Sequence, residues 1–122
     1  MALYQCHYFK TASGRAPARE FIESLDSRSQ RKFFYVRGLL EEFGHKLPAP
    51  HTRYLGDGIF ELRFGVIEGN IRVLYFFFSR NQIILTNGFV KKSGKAPSRE
   101  MHSAFERRRL FLEHKRQEEA SL

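Results

Sequence analysis

Apolar and polar positions along this chain change period several times, and each change marks an element. Residues Leu3 to Phe9 alternate and are rich in Tyr and Phe, which predicts a first strand. Ser13-Gly14-Arg15 breaks it. Pro17 then suits a first helical turn, where a missing N–H is harmless, so a short helix is expected from about Ala16 to Leu25, with Phe21 and Leu25 on one face. Asp26 or Ser27 can cap a second helix that ends near Gly44. Its apolar residues Phe33, Val36, Leu40 and Phe43 step by three, four and three, and Phe34 and Leu39 widen that stripe. Arg28, Arg31, Lys32 and Arg37 mark the wet side. Two helices joined so closely are expected to form an antiparallel hairpin across a sheet.

The segment Leu47-Pro48-Ala49-Pro50 cannot be helical and is expected to be a connecting loop. Period-two apolar runs then predict strands near 59–65, 70–78 and 82–90, joined by the short turns Glu68-Gly69-Asn70 and Ser79-Arg80-Asn81. Pro97 opens a last helix, with Met101, Ala104, Phe105 and Leu112 inward. Ala96, the natural N-cap, offers no side-chain cap. The charged tail from about His114 is expected to fray. The expected order is βααβββα: an α+β fold with an antiparallel sheet, an N-terminal helix hairpin packed on it and a C-terminal helix.

Composition narrows the class. A chain of 122 residues, 42% of them hydrophobic, suits one globular domain over 1–122 with a real core. The formal charge of +8 favours a polyanionic partner: nucleic acid, an anionic surface or an acidic protein. The longest apolar run, Val73 to Phe78, falls far short of the roughly 20 residues a membrane span needs. The N-terminus lacks the basic region and apolar core of a secretion signal. Cys6 stands alone, so no internal disulfide or zinc cluster is expected, and its place in a strand suits a small buried apolar residue. These features together lead us to expect a cytoplasmic protein without a membrane anchor.

The chemistry lies between Ile59 and Pro97, where cations interrupt apolar strands. Arg63 follows Ile59-Phe60-Glu61-Leu62, and Arg72 sits within Asn70-Ile71-Arg72-Val73-Leu74-Tyr75. An unpaired charge in a buried meander costs on the order of several kcal/mol, so these arginines point to a function or a partner. Followed by the loop Lys91-Lys92-Ser93-Gly94-Lys95, they suggest a sheet that holds phosphate. No His and carboxylate spacing reaches a metal-site pattern, and no serine has a nucleophile-elbow context, so no metal or other cofactor is expected.

Three segments resemble one family. The runs Leu55-Gly56-Asp57-Gly58-Ile59-Phe60-Glu61-Leu62-Arg63, Asn70-Ile71-Arg72-Val73-Leu74-Tyr75-Phe76 and Gly88-Phe89-Val90-Lys91-Lys92-Ser93-Gly94-Lys95-Ala96-Pro97, with Glu100, are similar in order and spacing to RelE/ParE-superfamily toxins of the HigB-like, phage-associated branch. The resemblance implies the toxin of a type II toxin–antitoxin pair that enters the ribosome and cuts mRNA, inhibiting translation. The implied reaction is metal-free: the ribose 2′-OH attacks the adjacent phosphate and the 5′-oxygen leaves. The implied partners are the ribosome with its mRNA and an antitoxin carrying a helix-turn-helix domain, with operator DNA met only through the antitoxin complex. The ParE branch poisons DNA gyrase instead and usually lacks the Lys-Lys loop. A gyrase inhibitor, or a degenerate toxin acting as a nucleic-acid-binding or co-repressor module, is therefore the alternative.

Without metal, fixed guanidinium and ammonium groups must carry the charge that develops on the phosphate. By the resemblance Arg63 takes the position that holds the scissile phosphate; its alternative is an ion pair with Glu61 or Glu68. Arg72 is either a second phosphate ligand or a carboxylate partner that fixes the sheet. Lys91 and Lys92 leave the last strand on opposite sides, so one can face the site. Arg53 is expected on a loop leading into the meander, where it and Lys95 can meet RNA. Phe89 can stack on a base or close the core. Arg107 and Arg108, in the run that continues to Arg109, can clamp rRNA or line a solvated helix face. The general base is either a lysine whose pKa the cation cluster lowers or His51, which titrates near neutrality. His45 and His102 read as surface residues.

Overall fold

The computed structural model describes residues 2–65, 69–92 and 97–121. Its strands are β1 (Gln5–Tyr8), β2 (Thr52–Gly56), β3 (Ile59–Phe64), β4 (Ile71–Phe78) and β5 (Gln82–Val90). Its helices are α1 (Pro17–Glu23), α2 (Ser27–Phe43) and α3 (Ser98–Ala120), with a 3-10 turn at Gly44–Lys46. The strands form one sheet in the order β1-β5-β4-β3-β2. This is an α+β fold.

Two features of the sheet differ from the expected antiparallel meander. β1 pairs in parallel with β5, from Gln5 opposite Gln82 to Tyr8 opposite Leu85, so the sheet is mixed. Alternation tells which residues face inward but not which strand lies alongside, and this pairing joins segments far apart in the sequence. The segment expected as a loop around Arg53 is strand β2, antiparallel to β3 and bulged between Tyr54 and Gly56. That bulge interrupts the period-two signal.

Residues on one sheet face, among them Leu62, Phe64, Val73, Tyr75, Ile83 and Leu85, share a core with Ala18 and Ile22 of α1 and Phe33, Val36 and Leu40 of α2. The opposite face packs Ile59, Leu74, Phe76, Ile84 and Phe89 against Ala104 of α3. Wholly buried side chains such as Phe33, Leu40 and Ile83 contribute about 1.5–3 kcal/mol each by leaving water. The α2 stripe is narrower than expected: Phe34 and Phe43 are exposed, and so is Tyr35. On α3, Met101, Phe105 and Phe111 pack beside Ala104. The helix runs on to Ala120 without fraying at His114, supported by pairs such as Arg109–Glu113 and His114–Glu118.

Local chemistry explains the boundaries. Asp26 caps α2, its side chain accepting from Ser29 N at 2.8 Å. Gly44 ends the helix at φ 53, where a Cβ would collide with the Tyr4 ring. α3 starts after Pro97 with no side-chain cap, and Ala96 lies outside the described residues. Arg37 is not on the wet side: it donates to Cys6 O and to the Tyr8 hydroxyl. Beside it Glu41 accepts from Cys6 N at 2.8 Å, so α2 satisfies the outer edge of β1 that would otherwise invite a foreign strand.

Candidate functional site

Strand register assembles the cationic residues. Glu61 and Arg63 leave β3 on the α3 side of the sheet, because their neighbours Leu62 and Phe64 belong to the other core. Across β3 and β4, Arg63 stands opposite Arg72, and across β4 and β5 Arg72 stands opposite Phe89. On the other side, Arg53 of β2 stands opposite Glu61, and the His51 carbonyl accepts from Arg63 N at 2.8 Å. His51, Arg63, Arg72 and Phe89 thus form one row, with Arg53 and Glu61 in the next. Lys91 N donates to Asn70 O at 2.7 Å, which extends the ladder, and alternation gives Lys91 the same face as Arg72.

Two arginines directly opposite each other would repel, and Glu61 resolves the conflict. Its side chain is almost wholly buried. Its Oε1 lies 2.6 Å from Arg72 Nη1 and 3.7 Å from Arg63 Nε. Arg72 is buried as well and spends its Nε on Gly69 O at 2.7 Å. Of the two readings of Arg72, the geometry is that of the carboxylate partner: two of its donors are engaged inside the protein. The Arg63 side chain keeps 28% of its surface exposed, and its contact with Glu61 at 3.7 Å is the ion pair given above as the alternative to a phosphate role, longer than a hydrogen bond. That combination suits a preorganised anion ligand.

The remaining expected residues divide. Arg53 is exposed on β2, His51 is half-buried at the turn before it, and Lys92 is exposed. Lys95 lies outside the described residues, as does Glu68. Phe89 does not offer a stacking ring: it is 6% exposed and belongs to the α3-side core. Arg107 does not reach outward either. Its Nη1 donates to Thr86 O at 3.3 Å, and burial lowers its pKa while Glu100 opposes that shift. Arg108 lies over the Phe76 ring and beside Gly58, at the opposite end of β3 from Arg63. Five residues of strand separate the two ends, about 16 Å. The structure therefore gathers His51, Arg53, Arg63, Arg72 and Lys91 and leaves Arg107 and Arg108 apart.

Glu61 was expected only as one possible ion-pair partner of Arg63, and Lys32 and Tyr35 were not expected at the site. Glu61 is the hub of the arginines, and its signal was its place two residues before Arg63, where period two puts both on one face. Lys32 and Tyr35 of α2 line a cavity of about 480 Å³ with Pro50, His51, Arg63 and Gly69. Their i, i+3 spacing was visible, but which side of α2 met the sheet edge was not. Among the described residues no three His, Cys, Asp or Glu side chains gather to hold a metal. The donor set is cationic and suits an anion. No helix among the described residues is long and apolar enough to cross a membrane.

The fold is thus α+β, with a mixed sheet that carries a basic row over a buried carboxylate. The family model described as phage derived protein Gp49-like (DUF891) matches residues 20–109, which contain all of this site, and the chain belongs to that family. It is a family of RelE/toxin-like proteins. Among the curated proteins compared with the chain, none matches it.

Proposed function

We propose that this protein is the toxin of a type II toxin–antitoxin pair and acts as a metal-independent endoribonuclease on ribosome-bound mRNA. The observation that carries this reading is the partly exposed side chain of Arg63, held beside the buried Glu61–Arg72 pair in a basic row. Membership of a toxin-like, phage-derived family supports it.

In the proposed reaction the 2′-OH of one ribose attacks the adjacent phosphorus, its proton passes to a base, and the bond to the 5′-oxygen breaks as that oxygen takes up a proton from water or from the protonated base. The products are a cyclic phosphate and a 5′-hydroxyl. Arg63 stabilises the charge on the non-bridging oxygens, with Arg53 and Lys91 holding neighbouring phosphates. Arg72 acts through Glu61 by fixing the position of Arg63. His51, in the same row, is the candidate base, with Lys91 as its rival. A site with no strong isolated base depends on substrate positioning, which the ribosome would supply. The proposed setting is the cytoplasm, and the proposed silencing partner is an antitoxin that covers the basic face or the exposed side of α1 and α2.

Expression of the chain without a partner, followed by mapping of RNA 5′ ends, tests the proposal. Growth arrest with cuts confined to translated messages is expected. Arrest with DNA breaks and intact mRNA would replace this reading with a gyrase-directed one.

A further inference from the structure

We propose that the cavity between α2 and the β3–β4 end is a nucleotide subsite in which Tyr35 stacks on a base beside the bond that is cut. The inference rests on the RNA-cleaving reading above and assigns that site a second wall.

The cavity measures about 480 Å³, within the range of small-ligand sites and sufficient for a nucleotide. Its lining has two chemistries. Arg63, Lys32 and His51 supply cationic or titratable groups, while Tyr35 and Pro50 supply flat apolar surface. A nucleotide has the same division, with an anionic phosphate and a planar base. Tyr35 is 66% exposed although it belongs to a helix whose neighbouring residues Phe33 and Val36 are buried. A ring left in solvent beside a cation is poor core design and good base-stacking design.

Two glycines with positive φ line the cavity, where the chain's own packing and backbone conformation disfavour a side chain. Gly65 has φ 125 and Gly69 φ 66, and a Cβ on Gly65 would collide with Asn70 Oδ1. Arg63 projects from the sheet face away from α2, but at the end of β3 it also lines this cavity, so a strand of RNA passing the sheet end can lay its phosphate at Arg63 and turn its base toward Tyr35. Phosphate contacts would fix register, and the Tyr35 wall would hold the face of whichever base stands beside them.

The test uses the full chain and an uncleavable trinucleotide with 2′-O-methyl riboses, compared with its abasic counterpart and with an acidic peptide. Nuclear magnetic resonance should show saturable shifts of the Tyr35 ring and of the Gly65 and Gly69 amides at millimolar trinucleotide. The abasic compound and the Tyr35→Ala protein should each bind roughly 5- to 150-fold more weakly, the span expected for one base–aromatic stack. Tyr35→Phe should bind like wild type. Lys32→Ala should weaken the trinucleotide and the abasic compound alike. Equal binding of the abasic compound, shifts confined to the Arg53 and Lys91 face, or equal shifts from the acidic peptide would overturn the subsite.

Cleavage on ribosomes is scored separately. Wild-type protein that binds through Tyr35 but does not cut keeps the subsite and removes the enzyme. Protein that cuts while Tyr35→Ala retains full trinucleotide binding keeps the enzyme and removes the subsite.

Discussion

Arg72 Nη1 donates to Glu61 Oε1 across 2.6 Å, and both side chains are almost wholly out of water. A buried ion pair adds little net stability, because desolvation of both charges offsets their attraction, but losing one partner strands the other. The same carboxylate oxygen also faces Arg63 Nε. The pair therefore has two consequences, one for folding and one for the orientation of the exposed guanidinium.

Glu61→Leu should destabilise the protein by about 3–5 kcal/mol, since Arg72 would be left buried and unpaired. The double variant Glu61→Leu with Arg72→Met should recover most of that loss while remaining inactive, because Arg63 loses its anchor. Denaturant melts of the single and double variants measure the first effect and ribosome-dependent cleavage the second. Additive destabilisation in the double variant would mean that the two side chains do not act as a pair.

Cys6 should behave as an inert core residue. Burial, reinforced by the nearby Glu41 carboxylate, pushes its thiol up to about 12 despite the opposing effect of Arg37. A thiol-specific disulfide reagent at pH 8 should react slowly with the folded protein and rapidly once denaturant is added. Fast labelling of the native state would show that the β1 edge opens readily.

Asp26 should make the stability of α2 depend on acid. The Ser29 N–H, its hydroxyl and neighbouring backbone N–H groups hold the Asp26 carboxyl below its ordinary value against the opposing effect of desolvation. A lowered folded pKa means the contribution is present above the unfolded value and lost as pH falls through the folded one. At pH 7 Asp26→Ala should lower Tm by a few degrees. The difference between the two proteins should shrink below the ordinary aspartate range. A constant difference down to strong acid would show that the cap does not need the charge.

Much of the fold was legible in the sequence because strong local signals agreed. Asp26 and Gly44 bound α2, and the runs of β3, β4 and β5 carry clear alternation. What was not legible depends on long-range packing. The parallel β1–β5 pairing joins distant segments, and bulged β2 hides its period. In the site, the basic residues of the meander could be named from their strands. Glu61 could be named as a possible partner of Arg63 but not as the residue that also holds Arg72, since that distance is set by register. Arg107 and Arg108 looked equivalent in a run of three, yet helix phase turns Arg107 toward Thr86 and Arg108 toward Phe76. Phe89 was open between stack and core, and only its position under α3 decides for core.

The central claim is that Arg63 stabilises a phosphate at the moment of cleavage, and its most direct test is single-turnover cutting on programmed ribosomes carrying a defined mRNA. Wild-type protein should cut the message and leave a 5′-hydroxyl end. Arg63→Ala should bind the same ribosomes with similar affinity and cut roughly a hundred- to a thousandfold more slowly, the usual cost of one transition-state donor. Arg63→Lys should recover only part of the rate, because an ammonium keeps the charge but loses the planar fork. A 5′-phosphate end, or a folded Arg63→Ala protein that cuts at the wild-type rate, would contradict the account.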